Sequence, residues 1–321
     1  MTLPQTKCAV MRRLLGEGIV VSPGIFDGYS ARLVERKGFR AASVTGSGLS
    51  NSRLNQPDIG IMSLLENVEA CHTLAQQLTI PVMADADTGY GNAVTVYHTV
   101  QYFESAGIVG INIEDQASPK RCGHMRGKEL ISAKEMAKKV EAAAKAKKDP
   151  DFIVNARTDA IAVEGIDAAI ARGKLYREAG ADMIYPDAVQ SEDEIKRFVD
   201  EVGAPISINM GFGIRSRPTT PLLSMKRLAE IGVARVTLAR MLPAAAVAAM
   251  TKALDVMLDS MRTGSVHDRP DLLASIDEIT DLMGYDVINS LEKQFTLPED
   301  IERRYGSESP NYVVRSTQRT P

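Results

Sequence analysis

The chain has 321 residues, 44% of them hydrophobic and 25% charged, with a formal net charge of -3. This balance gives ample material for a core and excludes the strongly basic surface that nucleic acid or an anionic membrane demands. Three cysteines, Cys8, Cys71 and Cys122, share no metal-type spacing. Their odd number in a long chain argues against a disulfide framework, so a reducing cytoplasm is the expected compartment. The segment Met1-Thr2-Leu3-Pro4-Gln5-Thr6-Lys7 has no basic stretch leading into an apolar one, and no uninterrupted apolar run reaches ~18 residues. Neither a signal sequence nor a membrane span is expected.

In chain order, short apolar runs rich in β-branched residues alternate with longer amphipathic stretches, the pattern of βα units around a parallel sheet. Strands are predicted at 19 to 23, 40 to 45, 80 to 84, 109 to 113, 151 to 155, 182 to 185, 205 to 208 and 234 to 238. Helical spacing runs over 61 to 79, 92 to 106, 133 to 147, 166 to 179 and 191 to 202, with Gly38, Gly107, Gly180, Gly203 and Gly232 where helix stops belong. Phrases such as Glu178-Ala179-Gly180-Ala181-Asp182-Met183 and Glu230-Ile231-Gly232-Val233-Ala234-Arg235 each join a helix end to a strand. Eight such units predict a (β/α)8 TIM barrel. After residue 242 an Ala-rich helix, 243 to 261, is followed by helical stretches near 270 to 283 and 284 to 296, more than barrel closure needs. One barrel domain with extra C-terminal helices is expected over 1–303, and a polar, flexible tail over 304–321.

In a barrel of this kind, residues just after the strands line the active-site rim. Thr45 to Gly48 follow the second predicted strand, Asp85 and Asp87 the third, and Glu114 and Asp115 the fourth. Arg157 and Asp159 follow the fifth, Asp187 the sixth and Asn209 the seventh. Each has a plain alternative as a cap or turn residue. Together they converge on one mouth, with hard carboxylate oxygens grouped on adjacent strands, a donor set suited to a divalent cation and an anionic substrate. Downstream, Lys120-Arg121-Cys122-Gly123-His124 places a thiol among cationic and proton-carrying neighbours. By itself a lone cysteine is more often an inert buried thiol.

Three segments, Asp85-Ala86-Asp87-Thr88-Gly89-Tyr90-Gly91, Ile113-Glu114-Asp115-Gln116 and Lys120-Arg121-Cys122-Gly123-His124, together resemble the isocitrate lyase and phosphoenolpyruvate mutase superfamily. The similarity runs from about residue 10 to 295. It implies a (β/α)8 barrel that binds Mg2+ or Mn2+ and an α-oxycarboxylate and works through an enolate or related anion. A cysteine in the gating loop resembles the lyase branch, because the phosphonate-forming mutases carry other residues there. By that resemblance Asp85 is a direct metal ligand, with Asp58, Asp87 and Glu114 acting mostly through water. Cys122 is the general acid, tuned by Lys120, Arg121 and His124. The resemblance places Thr45, Gly46, Ser47, Gly123, Arg157, Asp187, Asn209 and, in Asp268-Arg269-Pro270-Asp271-Leu272, Arg269 around the substrate. It also implies a homotetramer, a dimer of dimers whose C-terminal helices are exchanged.

The departures from the family pattern bear on substrate. Asp187 stands where family lyases usually have Glu, and Ser43 where methylisocitrate lyases tend to have Tyr. Ala248 stands where those enzymes have an arginine, which removes one partner for a third carboxylate. Gly211-Phe212-Gly213-Ile214-Arg215-Ser216-Arg217-Pro218 replaces another family phrase, and its two arginines read either as partners for a distal carboxylate or as loop charges. Cys122-Gly123-His124-Met125-Arg126-Gly127-Lys128 resembles the dimethylmalate lyase branch most. The expected reaction is cleavage of a substituted malate-like 2-hydroxy dicarboxylate, of the 2,3-dimethylmalate or 2-methylisocitrate type, to pyruvate or glyoxylate and a smaller carboxylate. The alternatives are an oxaloacetate hydrolase or decarboxylase, a phosphonate mutase, and a non-catalytic acid-binding barrel.

Overall fold

The computed structural model describes residues 5–305 with the exception of 124 and 126. All eight predicted strands form: β1 (Val20–Ile25), β2 (Ala42–Val44), β3 (Val82–Asp85), β4 (Gly110–Glu114), β5 (Ile153–Thr158), β6 (Met183–Pro186), β7 (Ser207–Asn209) and β8 (Arg235–Leu238). They pair in parallel in the order β6-β5-β4-β3-β2-β1-β8-β7. A bridge between Ile184 and Ile206 brings the two ends together, giving a nearly closed (β/α)8 barrel. β2, β4, β5, β6 and β8 are buried along their whole length. β4, β5 and β8 nevertheless carry Asn112, Asn155, Arg157, Arg235 and Thr237, so polar side chains are buried with the apolar ones.

The helices between strands start and stop where local chemistry dictates. Ser63 and Glu66 make a reciprocal capping box at the start of the helix Leu64–Gln76, and the side chains of Ser132, Ser191 and Ser224 each accept a first-turn backbone N–H. Gly203 and Gly232 end their helices in the left-handed region, at φ 72° and 98°, which a residue with a Cβ rarely adopts. Gly28–Arg36 and Met225–Ile231 end at the stops expected from Gly38 and Gly232, whereas three barrel-unit helices were not anticipated: Lys7–Glu17, Gly46–Arg53 and Ile161–Glu164. Gly46-Ser47-Gly48 has poor helix propensity and reads as a turn, yet these residues are buried and the Thr45 side chain caps them.

By internal contacts the chain divides into two compact units, Met1–Val247 and Ala248–Pro321, with the helix Met241–Thr263 running across the division. In the second unit the helix expected from 270 begins instead at Ile276, because Ser275 and Glu278 form a capping box there. Further helices cover Tyr285–Phe295 and Pro298–Tyr305. The tail expected over 304–321 thus begins inside a helix, and 306–321 lie outside the described residues. Met241–Thr263 is long and apolar enough to cross a membrane by length and composition alone, although no span was expected. Its exposed Met250, Leu254, Met257, Leu258 and Met261 fall on one face at three- and four-residue spacing. Lys252, Asp255, Asp259 and Arg262 take another. That is the amphipathic pattern of a helix packed on one side by protein.

Gly110 opens β4 against Ile153 of β5, and a Cβ there would lie 2.7 Å from both the Ile153 Cβ and its carbonyl oxygen. Gly110→Ala should cost about 1–3 kcal/mol through overpacking. It would be read as a lower denaturation midpoint at unchanged m-value.

Candidate active site

The strand ends meet in one cavity. Its walls carry Ser43, Thr45 and Ser47 from β2 and the helix start that follows it, Asp85 and Asn112 from β3 and β4, and Arg157, Tyr185, Asp187 and Asn209 from the next three strand ends. Asp58, Lys120, Cys122, Gly123, Thr237 and Arg240 line it as well. Thr45 caps the helix Gly46–Arg53, so its first-turn N–H groups open towards this mouth and have no partner within the helix. Gly46 lies so close to Asp85 that a Cβ would stand 2.7 Å from the carboxylate Oδ2. The buried Asn67 amide donates to the Asp85 carbonyl at 2.9 Å and steadies this strand end.

Buried carboxylates here are held by buried cations. The Arg157 Nε donates to Asp159 at 2.8 Å and lies 3.1 Å from Glu114, while its Nη2 lies 3.2 Å from Asp187. Its Nε–H is spent on Asp159, so Glu114 has charge beside its Oε2 but neither of its oxygens has a hydrogen bond among the described residues. Burial, opposed by Arg157, pushes the Glu114 carboxyl well above the usual range. For Asp159 burial also disfavours ionisation, but Arg157 and Lys128 outweigh it and hold that carboxyl below the usual range. Lys120 pairs with Asp58 at 2.5 Å and Asp87 at 2.9 Å. Burial disfavours its ammonium, and the surrounding Asp87, Glu114, Asp58 and Asp85 outweigh that and keep it charged.

Asp85 is different. Its Oδ1 is buried without a hydrogen-bond partner among the described residues, and burial lifts its pKa to about 6 in spite of Lys120. An orphaned carboxylate oxygen beside the unsatisfied Glu114 oxygens fits a hard divalent cation that keeps part of its water shell. Among the described residues no three His, Cys, Asp or Glu side chains cluster as direct ligands. Asp58 and Asp87 are turned instead to Lys120.

The loop bearing Cys122 is anchored at both ends. Ala117 donates to Glu129 at 2.8 Å, and the Gln116 side chain clamps both backbone groups of Arg121 at 2.9 Å. The buried Lys128 binds the Gly123 carbonyl and Asp159, each at 2.8 Å. Gly123 passes over Asp187 so tightly that a Cβ would fall 1.8 Å from Oδ2. Side chains alternate along this loop: Lys120 is buried, Arg121 is exposed and outside the cavity, and Cys122 faces it. Of the three residues expected to tune Cys122, Lys120 is therefore spent on Asp58 and Asp87, Arg121 points away, and His124 lies outside the described residues. The cation beside the thiol is one not anticipated, Arg240, whose Nη2 lies 2.9 Å from Sγ. Cys8 and Cys71 are buried thiols, and burial lifts Cys8 to about 12.

Arg217 braces its own loop through the carbonyls of Asn209 and Thr219 and the Thr220 hydroxyl, and Arg215 is exposed. Neither lines the cavity. The Asn209 side chain accepts from Gly211 N at 2.8 Å. Arg269 belongs to the second unit, where it forks onto Asp271 at 2.8 and 2.7 Å. Arg240 stands two residues beyond β8, so the strand-end rule applied to the eighth strand would have found it. Its presence also supplies the cavity with a cation that the reading of Ala248 left out, and charge no longer argues against a third substrate carboxylate.

The family model for phosphoenolpyruvate phosphomutase matches residues 11–258. The chain belongs to the phosphoenolpyruvate mutase and isocitrate lyase superfamily. It is 39% identical over 289 residues to the 2,3-dimethylmalate lyase of Eubacterium barkeri, covering 89% of this chain and 97% of that one. It is also 39% identical over 279 residues to a 2-methylisocitrate lyase of Aeropyrum pernix, covering 86% and 87%. Among solved structures, 2,3-dimethylmalate lyase superposes with a TM-score of 0.82 at 29% identity, over 91% of this chain and 96% of that one. A phosphonopyruvate hydrolase solved with oxalate and Mg2+ gives 0.80 at 31%, over 91% and 99%. The superfamily assignment and the barrel expected from the sequence both hold.

Because the folded pKa of Asp85 lies above its ordinary 3.8, the native state keeps a proton that the unfolded chain has lost. Stability of the chelator-treated protein should then fall as pH rises towards about 6, and stay penalised above it. Asp85→Asn should raise the melting temperature at about pH 8 and leave it unchanged near pH 3, where the native carboxyl is protonated as well. Scanning calorimetry at the two pH values checks this.

Proposed function

We propose that this chain is a divalent-cation-dependent carbon–carbon lyase for a 2-hydroxy dicarboxylate of the 2,3-dimethylmalate or 2-methylisocitrate type, giving a 2-oxo acid and a smaller carboxylate. The observation that carries this reading is Cys122, a partly exposed thiol on an anchored loop that faces a cavity walled by Asp85, Arg157 and Asp187. The dimethylmalate and methylisocitrate lyases among its relatives support the substrate class. A cation such as Mg2+ or Mn2+, held by Asp85 directly and by Asp58, Asp87 and Glu114 through water, would polarise the substrate carboxylate and 2-oxygen.

The chain's own groups supply the rest. The Gly46 and Ser47 N–H groups and the Thr45 hydroxyl can receive the 2-oxo acid carboxylate at the helix start. Arg157 offers a planar fork to a substrate oxygen, and Asp187 and Asn209 limit where the substrate can lie. When the 2-hydroxyl gives its proton to water and the C2–C3 bond breaks, the O–H electron pair forms the 2-oxo group and the C2–C3 pair stays on C3, next to a carboxylate. Cys122 donates its S–H proton to that carbon, which completes the smaller acid. A reducing compartment such as the cytoplasm would keep this sulfur as a thiol.

The exposed apolar stripe of Met241–Thr263 supports a further assignment, a homotetramer assembled from dimers that exchange C-terminal helices. Light scattering should then report four times the 34.8 kDa subunit. Met257→Asp, on the stripe, should lower it, and a monomeric wild type ends the assignment.

With Mg2+, a panel of dimethylmalate, citramalate, methylisocitrate, isocitrate and oxaloacetate should give pyruvate or glyoxylate from one substituted acid. Cys122→Ser should reduce turnover roughly 10²–10⁴-fold. Oxalate and acetate, or carbon dioxide, as products would move the assignment to a hydrolase or decarboxylase. Tight binding without turnover would leave an acid-binding barrel.

A further inference from the structure

The cations around the cavity are unequally occupied. Lys120 is neutralised by Asp58 and Asp87, Lys128 by Asp159, and Arg157 by Glu114, Asp159 and Asp187. Arg240 is the exception: among the described residues its side chain is recorded against Cys122 Sγ and no carboxylate. It is also rigidly placed. Its backbone N–H donates to the Gly211 carbonyl at 3.0 Å, and its carbonyl accepts from Ala244 at the same distance, as the following helix begins. Gly24 of β1 lets this backbone come close, since a Cβ there would lie 2.6 Å from the Ala239 carbonyl oxygen.

We propose that Arg240 is a substrate-contacting catalytic residue, the site for the carboxylate of the fragment that Cys122 protonates. The identity of that fragment rests on the lyase reading; the anion site beside the thiol does not. When the C–C bond breaks, the electron pair on the carbon spreads into the adjoining carboxylate, whose oxygens then carry close to two negative charges. Charge that develops in the transition state must be met by a fixed positive group at that place. A guanidinium that touches the donor sulfur can bind those oxygens and hold the carbon within reach of the S–H, and its planar fork suits a carboxylate.

Iodoacetate tests this without turnover. It presents a carboxylate one carbon from the atom that sulfur attacks, and alkylation forms the S–C bond as iodide leaves. Neutral iodoacetamide reports the reactivity of the thiol itself, so the ratio of the two rates at one pH isolates the anion site. In full-length protein, with Cys122 modification followed by peptide mass spectrometry, that ratio should be on the order of ten-fold higher in wild type than in Arg240→Met or Arg240→Gln. Arg240→Lys should recover part of it. An equal ratio in wild type and in whichever neutral variant folds overturns the anion site. For the lyase reaction, the neutral variants should lower kcat/KM on the order of 100-fold or more, with partial rescue by lysine. An unchanged kcat/KM beside a changed ratio overturns the assignment to the reacting fragment. If the chain cleaves no C–C bond, the alkylation ratio still decides the anion site.

Discussion

Carboxylates can be buried together at the mouth of a barrel only if cations are buried with them, and Arg157 is the cation on which this mouth depends. It stands among Glu114, Asp159 and Asp187 from three neighbouring strand ends and is the cation that all three share. Removing one partner from a buried pair typically costs about 3–5 kcal/mol, because the other charge is stranded. Lys120 does the same for Asp58 and Asp87, and Lys128 for Asp159. Since Lys120 and Lys128 both lie on the loop that carries Cys122, the charge compensation that permits a carboxylate mouth also fastens the loop over it.

Compensation is incomplete at Asp85 and Glu114, and that incompleteness defines the site. A buried carboxylate oxygen without a partner carries an energetic penalty that a bound cation can remove. The same reasoning applies with opposite sign at Arg240, next to the sulfur, a positive group recorded against no carboxylate among the described residues. Unsatisfied negative charge on one wall and uncommitted positive charge on the other suit a ligand that is anionic at both ends and bridges a metal and an arginine.

Much of this was legible in the chain. Eight β-branched runs and the helix-stop glycines predicted every strand, and the strand-end rule placed Asp85, Arg157, Asp187 and Asn209 at one mouth, with Glu114 buried against Arg157. Gly46–Arg53 escaped because its glycines and serines carry little intrinsic helix propensity, and burial with the Thr45 cap decides the matter. Asn112 and Tyr185 escaped because they lie inside the predicted strands, whereas the rule was applied to residues after the strand ends. Arg121 was misjudged because adjacency along an extended loop sends neighbouring side chains to opposite sides.

The sequence by itself determined the architecture, the superfamily and the residue types gathered at the mouth, since those follow from local periodicity and from motifs whose spacing is set by the βα unit. Only the tertiary structure decided how the charges are shared. Which carboxylate takes Lys120, which is left bare at Asp85, and that Arg240 rather than Arg121 touches Cys122 all depend on approaches between residues as far as 118 positions apart. Pairing energies of that kind arise from distance and burial in the folded barrel, and neither quantity is written in the order of the residues.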